Sequence, residues 1–174
     1  MKSAVILLLS AALAFGANEL SGRRAPGFSL PDNTFKRYDL QDYRGKWVLI
    51  DFMVTNCPHC LEVSKLLENV KQKYGDRVTV LSVVLPPDTF DTVGDYIRTN
   101  KITVPVLFDQ GQMAASYFNA TPQNSHFDTP HVFVIDPNGQ IVRDYGHGAN
   151  QTDNYILEGP GLMNVLDSLI SPKK

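Results

Sequence analysis

Cysteine is scarce in this chain. Only two occur in 174 residues, and they stand together as Cys57-Pro58-His59-Cys60. Without a third or fourth sulfur there is no structural disulfide framework. A four-ligand zinc site would have to draw half its donors from histidine or carboxylate. An excess of one charge is missing too: 16 Lys and Arg against 18 Asp and Glu leave a net charge of −2. That balance argues against nucleic acid or an anionic membrane surface as a partner. Internal repeats and low-complexity segments are absent. Apolar runs long enough to span a bilayer, about 20 residues, are absent as well.

The one extended apolar run stands at the start. Met1-Lys2 precedes Ser3 to Phe15, which ends in small residues around Gly16 and Ala17. A short positive region, an apolar stretch and a small-residue site read as a secretory signal peptide over residues 1–17. With no cysteine near the cleavage site, a lipid-modified amino terminus is not expected. Residues 18–24 then read as a flexible leader and residues 25–174 as one domain, long enough for a substantial core. Export implies an oxidising compartment, periplasmic or extracellular, in which disulfides persist.

Along the domain, Pro31-Asp32-Asn33-Thr34 separates two short runs and predicts an amino-terminal hairpin. Trp47 to Phe52 is nearly all apolar, the pattern of a strand buried on both faces. Val63, Leu66, Leu67 and Val70 recur at helical spacing over 58–74, and Gly75 ends the helix. Val78 to Leu85 reads as a second buried strand. Asp88 or Thr89 caps a helix running to about Asn100. Val104 to Phe108 and His131 to Ile135 are strands, with a short helix from Gln112 to Phe118 between them. Pro137-Asn138-Gly139 turns the last strand into a hairpin with Ile141 to Tyr145, and Gly161 to Ile170 closes as an amphipathic helix. The class is α/β, a central mixed β-sheet flanked by helices with an amino-terminal β-hairpin extension.

The position of the CxxC gives it chemistry. A helix amino terminus presents unpaired amides and partial positive charge, and both favour thiolate over thiol on the first cysteine. Spacing of three residues on one turn lets Cys60 reach Cys57 to close a disulfide. Pro58 suits a first helical turn because it has no N–H to satisfy. His59 adds a titratable neighbour that further favours the thiolate. Cys57 is then the nucleophile and Cys60 the resolving thiol. The competing reading of a CxxC is half of a metal site.

Several segments together resemble the thioredoxin-fold proteins, in the exported TlpA/ResA-like branch of the AhpC/TSA-redoxin superfamily. They are Ala25-Pro26-Gly27-Phe28-Ser29-Leu30, Gly45 to Phe52, the CPHC, Thr129-Pro130 before His131 to Ile135, and Asp136-Pro137-Asn138-Gly139. The resemblance implies a thiol:disulfide oxidoreductase that exchanges disulfides with partner proteins and is reset by an upstream redox partner. It implies no cofactor, and a monomer is expected. It makes Pro130 the cis-proline packed against the dithiol, Thr129 a backbone contact for a substrate chain, and Asp51 a buried carboxylate that takes the proton of Cys60. Pro58, His59 and His131 are expected at the substrate surface. The branch usually has Trp before the first cysteine, where this chain has Asn56. Its members are mostly reductants, whereas Pro-His between the cysteines resembles the oxidising periplasmic disulfide oxidase. Those extremes differ by roughly 150 mV, about 7 kcal/mol for two electrons.

Two alternatives remain open at this point. Peroxiredoxins resemble Pro-x-x-x-Thr/Ser-x-x-Cys, and Ile50 and Val54 occupy the proline and hydroxyl positions here. A Cu(I)-binding, metallochaperone-like protein would use Cys57, Cys60 and His131, since soft thiolates and imidazole suit cuprous copper. The related assembly factors carry Cys-x-x-x-Cys, one residue longer. His126 and His147 fall in predicted loops and receive no role.

Overall fold

The computed structural model describes residues 20–125 and 127–170. The predicted signal peptide, the first leader residues and His126 lie outside the described residues. The chain opens with three short strands, β1 (Arg23–Arg24), β2 (Ser29–Pro31) and β3 (Arg37–Asp39). It continues through β4 (Trp47–Met53), α1 (Pro58–Tyr74), β5 (Val78–Val84), α2 (Phe90–Asn100) and β6 (Val106–Phe108). The second half holds α3 (Gln112–Tyr117), β7 (His131–Ile135), β8 (Gln140–Gly146), α4 (Gln151–Glu158) and α5 (Gly161–Ile170).

Six strands form one mixed sheet in the order β1-β8-β7-β4-β5-β6, and β2 pairs with β3 in a separate hairpin. Strands β4, β5 and β6 run parallel, while β7 lies antiparallel to β4. Parallel neighbours need a crossover, and α1 supplies the one between β4 and β5. Successive side chains on a strand point to opposite faces. Leu49 and Met53 of β4 join Val80, Val84, Val132 and Val134 in a core covered by α1, α2, α4 and α5. Val48, Ile50 and Phe52 join Leu81, Val83, Phe133 and Ile135 on the other face, beneath α3 and the amino-terminal segment. Asp51 has the parity of Leu49 and Met53 and so faces the α1 side. This alternation decides which polar side chains can meet the dithiol.

Helix α1 buries Val63, Leu67, Val70 and Tyr74, spaced four, three and four residues apart as one helical face requires. Truncating a buried leucine such as Leu67 to alanine costs about 2–5 kcal/mol. Gly75, at φ 53°, turns the chain out of the helix, a conformation that glycine adopts at little cost.

Two features differ from the sequence reading. The sequence predicts a flexible leader over residues 18–24, whereas within its described part Arg23 and Arg24 pair with Ile141 and Gln140 of β8. The Arg23 guanidinium donates to the carbonyls of Leu20 and Tyr117, which gives this segment fixed anchors. Helix α4 has no counterpart in the reading above. It buries only Asp153, Ile156 and Leu157, too few apolar positions for a periodic signal. Its cap, Asn150 Oδ1 accepting the Asp153 N–H at 2.9 Å, is its clearest mark in the sequence.

Candidate active site

The dithiol stands where β4 gives way to α1. Cys57 is the N-cap of α1, with extended backbone, and its sulfur accepts the N–H of Cys60 at 3.1 Å. Pro58 follows in the first turn, as a residue without an N–H should. Both cysteines are free thiols, but their surroundings differ. Cys57 is half-buried, whereas Cys60 is wholly buried in the core under α1. Burial pushes the Cys60 thiol well above its ordinary range, reinforced by its hydrogen bond with Cys57 and by the Asp51 charge.

Asp51 is fully buried on the same face of the sheet. In the strand registers it lies beside Ser82 of β5 and Val132 of β7. Neither carboxyl oxygen has a hydrogen-bond partner, so the nearby Ser82 hydroxyl offsets the lost solvation only in part. Burial pushes its pKa up to about 8. An unpaired carboxyl in an apolar core is costly when ionised, and its charge and that of Cys60 disfavour each other. Tyr96 of α2 shares this pocket and donates to Ser64 Oγ of α1 at 2.8 Å. Burial, opposed by the Ser64 hydrogen bond and aided by the charges of Asp51 and both cysteines, pushes Tyr96 up to about 12.

The Thr129–Pro130 peptide is cis, as the resemblance implied. His131, the next residue, pairs with Phe52 of β4, so Pro130 stands at the sheet end from which the CxxC emerges. Pro130 is buried and Thr129 half-buried. The Pro130 carbonyl accepts the backbone N–H of His147 at 3.0 Å, and the His147 ring stacks on His59 with centroids 3.9 Å apart. A chain of contacts therefore links the cis-proline to the Pro-His dipeptide.

His131 does not belong to this group. Its side chain was expected at the substrate surface, or as a copper ligand with the thiols. Strand parity turns it to the opposite face of the sheet, where it is buried, stacked on Phe133 and edge-on to Phe118. Its Nε2 lies 3.3 Å from Asp144 Oδ2, and Ser21 Oγ donates to the other Asp144 oxygen. The constellation Cys57, Cys60 and His131 is thus not assembled.

A second peptide that precedes a proline, Pro86–Pro87, is also cis. It leads into Asp88, which holds the approach to the dithiol. Asp88 accepts the Thr55 N–H at 2.8 Å and the hydroxyls of Thr55 and Thr92. Sequence reasoning saw Asp88 only as a possible helix cap; its grip on Thr55 spans 33 residues and leaves no local signal. Ser82 and Tyr96 were missed for the same reason.

A half-buried cysteine capping a helix start, a buried resolving thiol, a buried carboxyl beneath it and a cis-proline at the same sheet end define a thioredoxin-fold thiol-disulfide oxidoreductase. Comparison with known proteins supports that class and narrows it. The AhpC/TSA family profile matches residues 21–144, and the chain belongs to that family. It is 24% identical over 152 residues to the thiol-disulfide oxidoreductase ResA of Bacillus subtilis, covering 82% of each chain. It is 28% identical over 122 residues to the thioredoxin-like protein YneN of the same organism, covering 69% of this chain and 68% of the relative. Among solved structures, the thioredoxin domain of a thiol-disulfide oxidoreductase from Bacteroides vulgatus superposes with a TM-score of 0.68 at 20% identity, covering 87% of this chain and 98% of that one. A thiol:disulfide interchange protein from Bacteroides sp. gives 0.66 at 21% identity, covering 88% and 92%. These structures share the fold. Among the described residues, no helix is long and apolar enough to cross a membrane.

Proposed function

We propose that this oxidoreductase is exported and exchanges disulfides with partner proteins, acting as a monomer. The observation that carries the reading is Cys57 at the N-cap of α1, its sulfur accepting the Cys60 amide above the buried carboxyl of Asp51. In the reductive direction, the Cys57 thiolate attacks one sulfur of a substrate disulfide. The substrate S–S bond breaks, one substrate thiolate leaves, and a mixed disulfide forms. Cys60 then yields its proton to Asp51 and attacks Cys57 Sγ, releasing the second substrate thiolate. The substrate gains two electrons and the Cys57–Cys60 pair becomes a disulfide, which an upstream redox partner reduces. The oxidative direction reverses each step.

With its pKa pushed up to about 8, about a tenth of Asp51 is ionised at pH 7. It is then a stronger base than an ordinary carboxylate and suits transfer from a thiol. Thr129 and Pro130 offer backbone, and Pro58 and His59 an exposed surface, to the substrate chain beside Cys57. The apolar stretch in residues 1–17 supports export to the periplasm or beyond.

The test is disulfide exchange with insulin. Cys57→Ser abolishes turnover, and Cys60→Ser accumulates mixed disulfides that a reducing gel releases. Full activity in Cys57→Ser rules the mechanism out. The reduction potential of the pair against glutathione then assigns the direction, and amino-terminal sequencing of the mature protein tests cleavage near Gly16.

A further inference from the structure

Beside the dithiol, His59 meets two donor side chains, His147 and Glu158, that disulfide exchange does not use. His59, His147 and Glu158 each offer one ligand atom, and these atoms all lie within 4.8 Å of one another. They come from three places in the chain: the first turn of α1, the turn after β8 and the last residue of α4. His147 Nε2 lies 2.9 Å from Glu158 Oε1. The two imidazoles stack with 25° between their planes, and His59 Nδ1 is 3.5 Å from Glu62 Oε2. Among the described residues this is the only such group of three.

We propose that His59, His147 and Glu158 bind a divalent transition-metal ion, with zinc the best match to two imidazoles and a carboxylate and water in the fourth position. Neutral imidazole is the form that ligates metal. Tetrahedral bonds of about 2.0–2.1 Å set donors about 3.4 Å apart and need each ring nitrogen aimed at the ion in its own ring plane, so binding turns His59 out of the stack and closes the side chains by an ångström or so. They have that freedom: His59 is 51% and Glu158 45% exposed. The third ligand is held more firmly. The His147 backbone N–H is bonded to Pro130 O, and the next amide, Gly148, donates to Asn154 Oδ1 at 2.7 Å. Glu62 stands where a carboxylate orients a ligating imidazole from outside. A bound ion ties the first turn of the dithiol helix to the end of α4 and sets positive charge two residues from Cys57.

The site is independent of the thiols, and so is its test. Untagged protein, closed as the Cys57–Cys60 disulfide so that neither sulfur can ligate, is titrated with Zn2+ by calorimetry. A parallel titration with Co2+ is followed by absorption. The expected result is saturable one-to-one binding, with Co2+ d–d bands and no thiolate charge-transfer band. His147→Ala and the milder Glu158→Gln each weaken binding at least about tenfold. Absence of binding to the disulfide form overturns the proposal. Binding that both variants retain in full overturns it, as does binding confined to reduced protein with a thiolate band, which assigns the ion to the dithiol. Insulin exchange, measured in chelator, reports separately on the redox reading.

Discussion

The sulfur of Cys57 accepts the N–H of Cys60 at 3.1 Å, while the side chain of Cys60 is wholly enclosed by the core. The first sulfur stands half-buried at the helix start, whereas burial pushes the thiol of the second well above its ordinary range. Alkylation of the reduced protein with iodoacetamide at pH 7 should therefore label Cys57 and leave Cys60 unmodified until the chain is unfolded. Peptide mapping by mass spectrometry reads this directly, and equal labelling of the two would contradict the polarity assigned to the pair.

The burial of Asp51 makes stability depend on pH. Its folded pKa of about 8 exceeds the unfolded value of about 4, so between these the folded state holds a proton that the unfolded state has released. The stabilisation present below pH 4 is lost as pH rises towards 8, on the order of a few kcal/mol. Urea unfolding of the reduced protein at pH 5 and pH 8 should show this decline, and Asp51→Asn should flatten it. The same variant should slow resolution of the mixed disulfide about 10- to 100-fold at pH 7. An unchanged pH slope in the variant would remove Asp51 as its source.

Asp88 accepts three hydrogen bonds, from the amide and hydroxyl of Thr55 and the hydroxyl of Thr92. Asp88→Ala frees the segment before Cys57 and leaves the part-buried Thr55 amide without its acceptor, at a cost of about 1–3 kcal/mol. A lower urea midpoint with a lower exchange rate is expected. Asp88→Asn, which keeps an acceptor oxygen, should fall between.

Gly146 leaves room for a ring. A Cβ built there would meet His131 Nδ1 at 2.8 Å, in a region where Phe118 and Phe133 already hold the imidazole. Gly146→Ala should cost about 1–3 kcal/mol through overpacking. Adding His131→Ala should recover part of that loss, a coupling that a double-mutant cycle measures. Simple additivity of the two losses would show that the clash is relieved elsewhere.

Much of the fold was legible because its signals are local. The apolar run from Trp47 and the spacing of Val63, Leu67 and Val70 marked β4 and α1 within a residue or so of their observed ends. The CxxC, with Pro58 behind it, marked a helix start. Resemblance carried Pro130 to a cis peptide and Asp51 to a buried place under the pair. Helix α4 was missed because three buried positions do not make a period, and the leader because two arginines carry no strand signal.

What the residues dictate along the chain is local: which segments bury themselves, where a helix begins, and which sulfur sits at that beginning. What the folded chain adds are relations between distant residues, and these follow from strand parity and packing. Parity turns Asp51 towards Cys60 but His131 away from it, although both stand at the same end of the sheet. Packing brings His147 and Glu158 to His59, and Asp88 to Thr55. Side chains so far apart in the chain meet only when burial of the core has fixed every strand's register, and no short window of sequence holds that information.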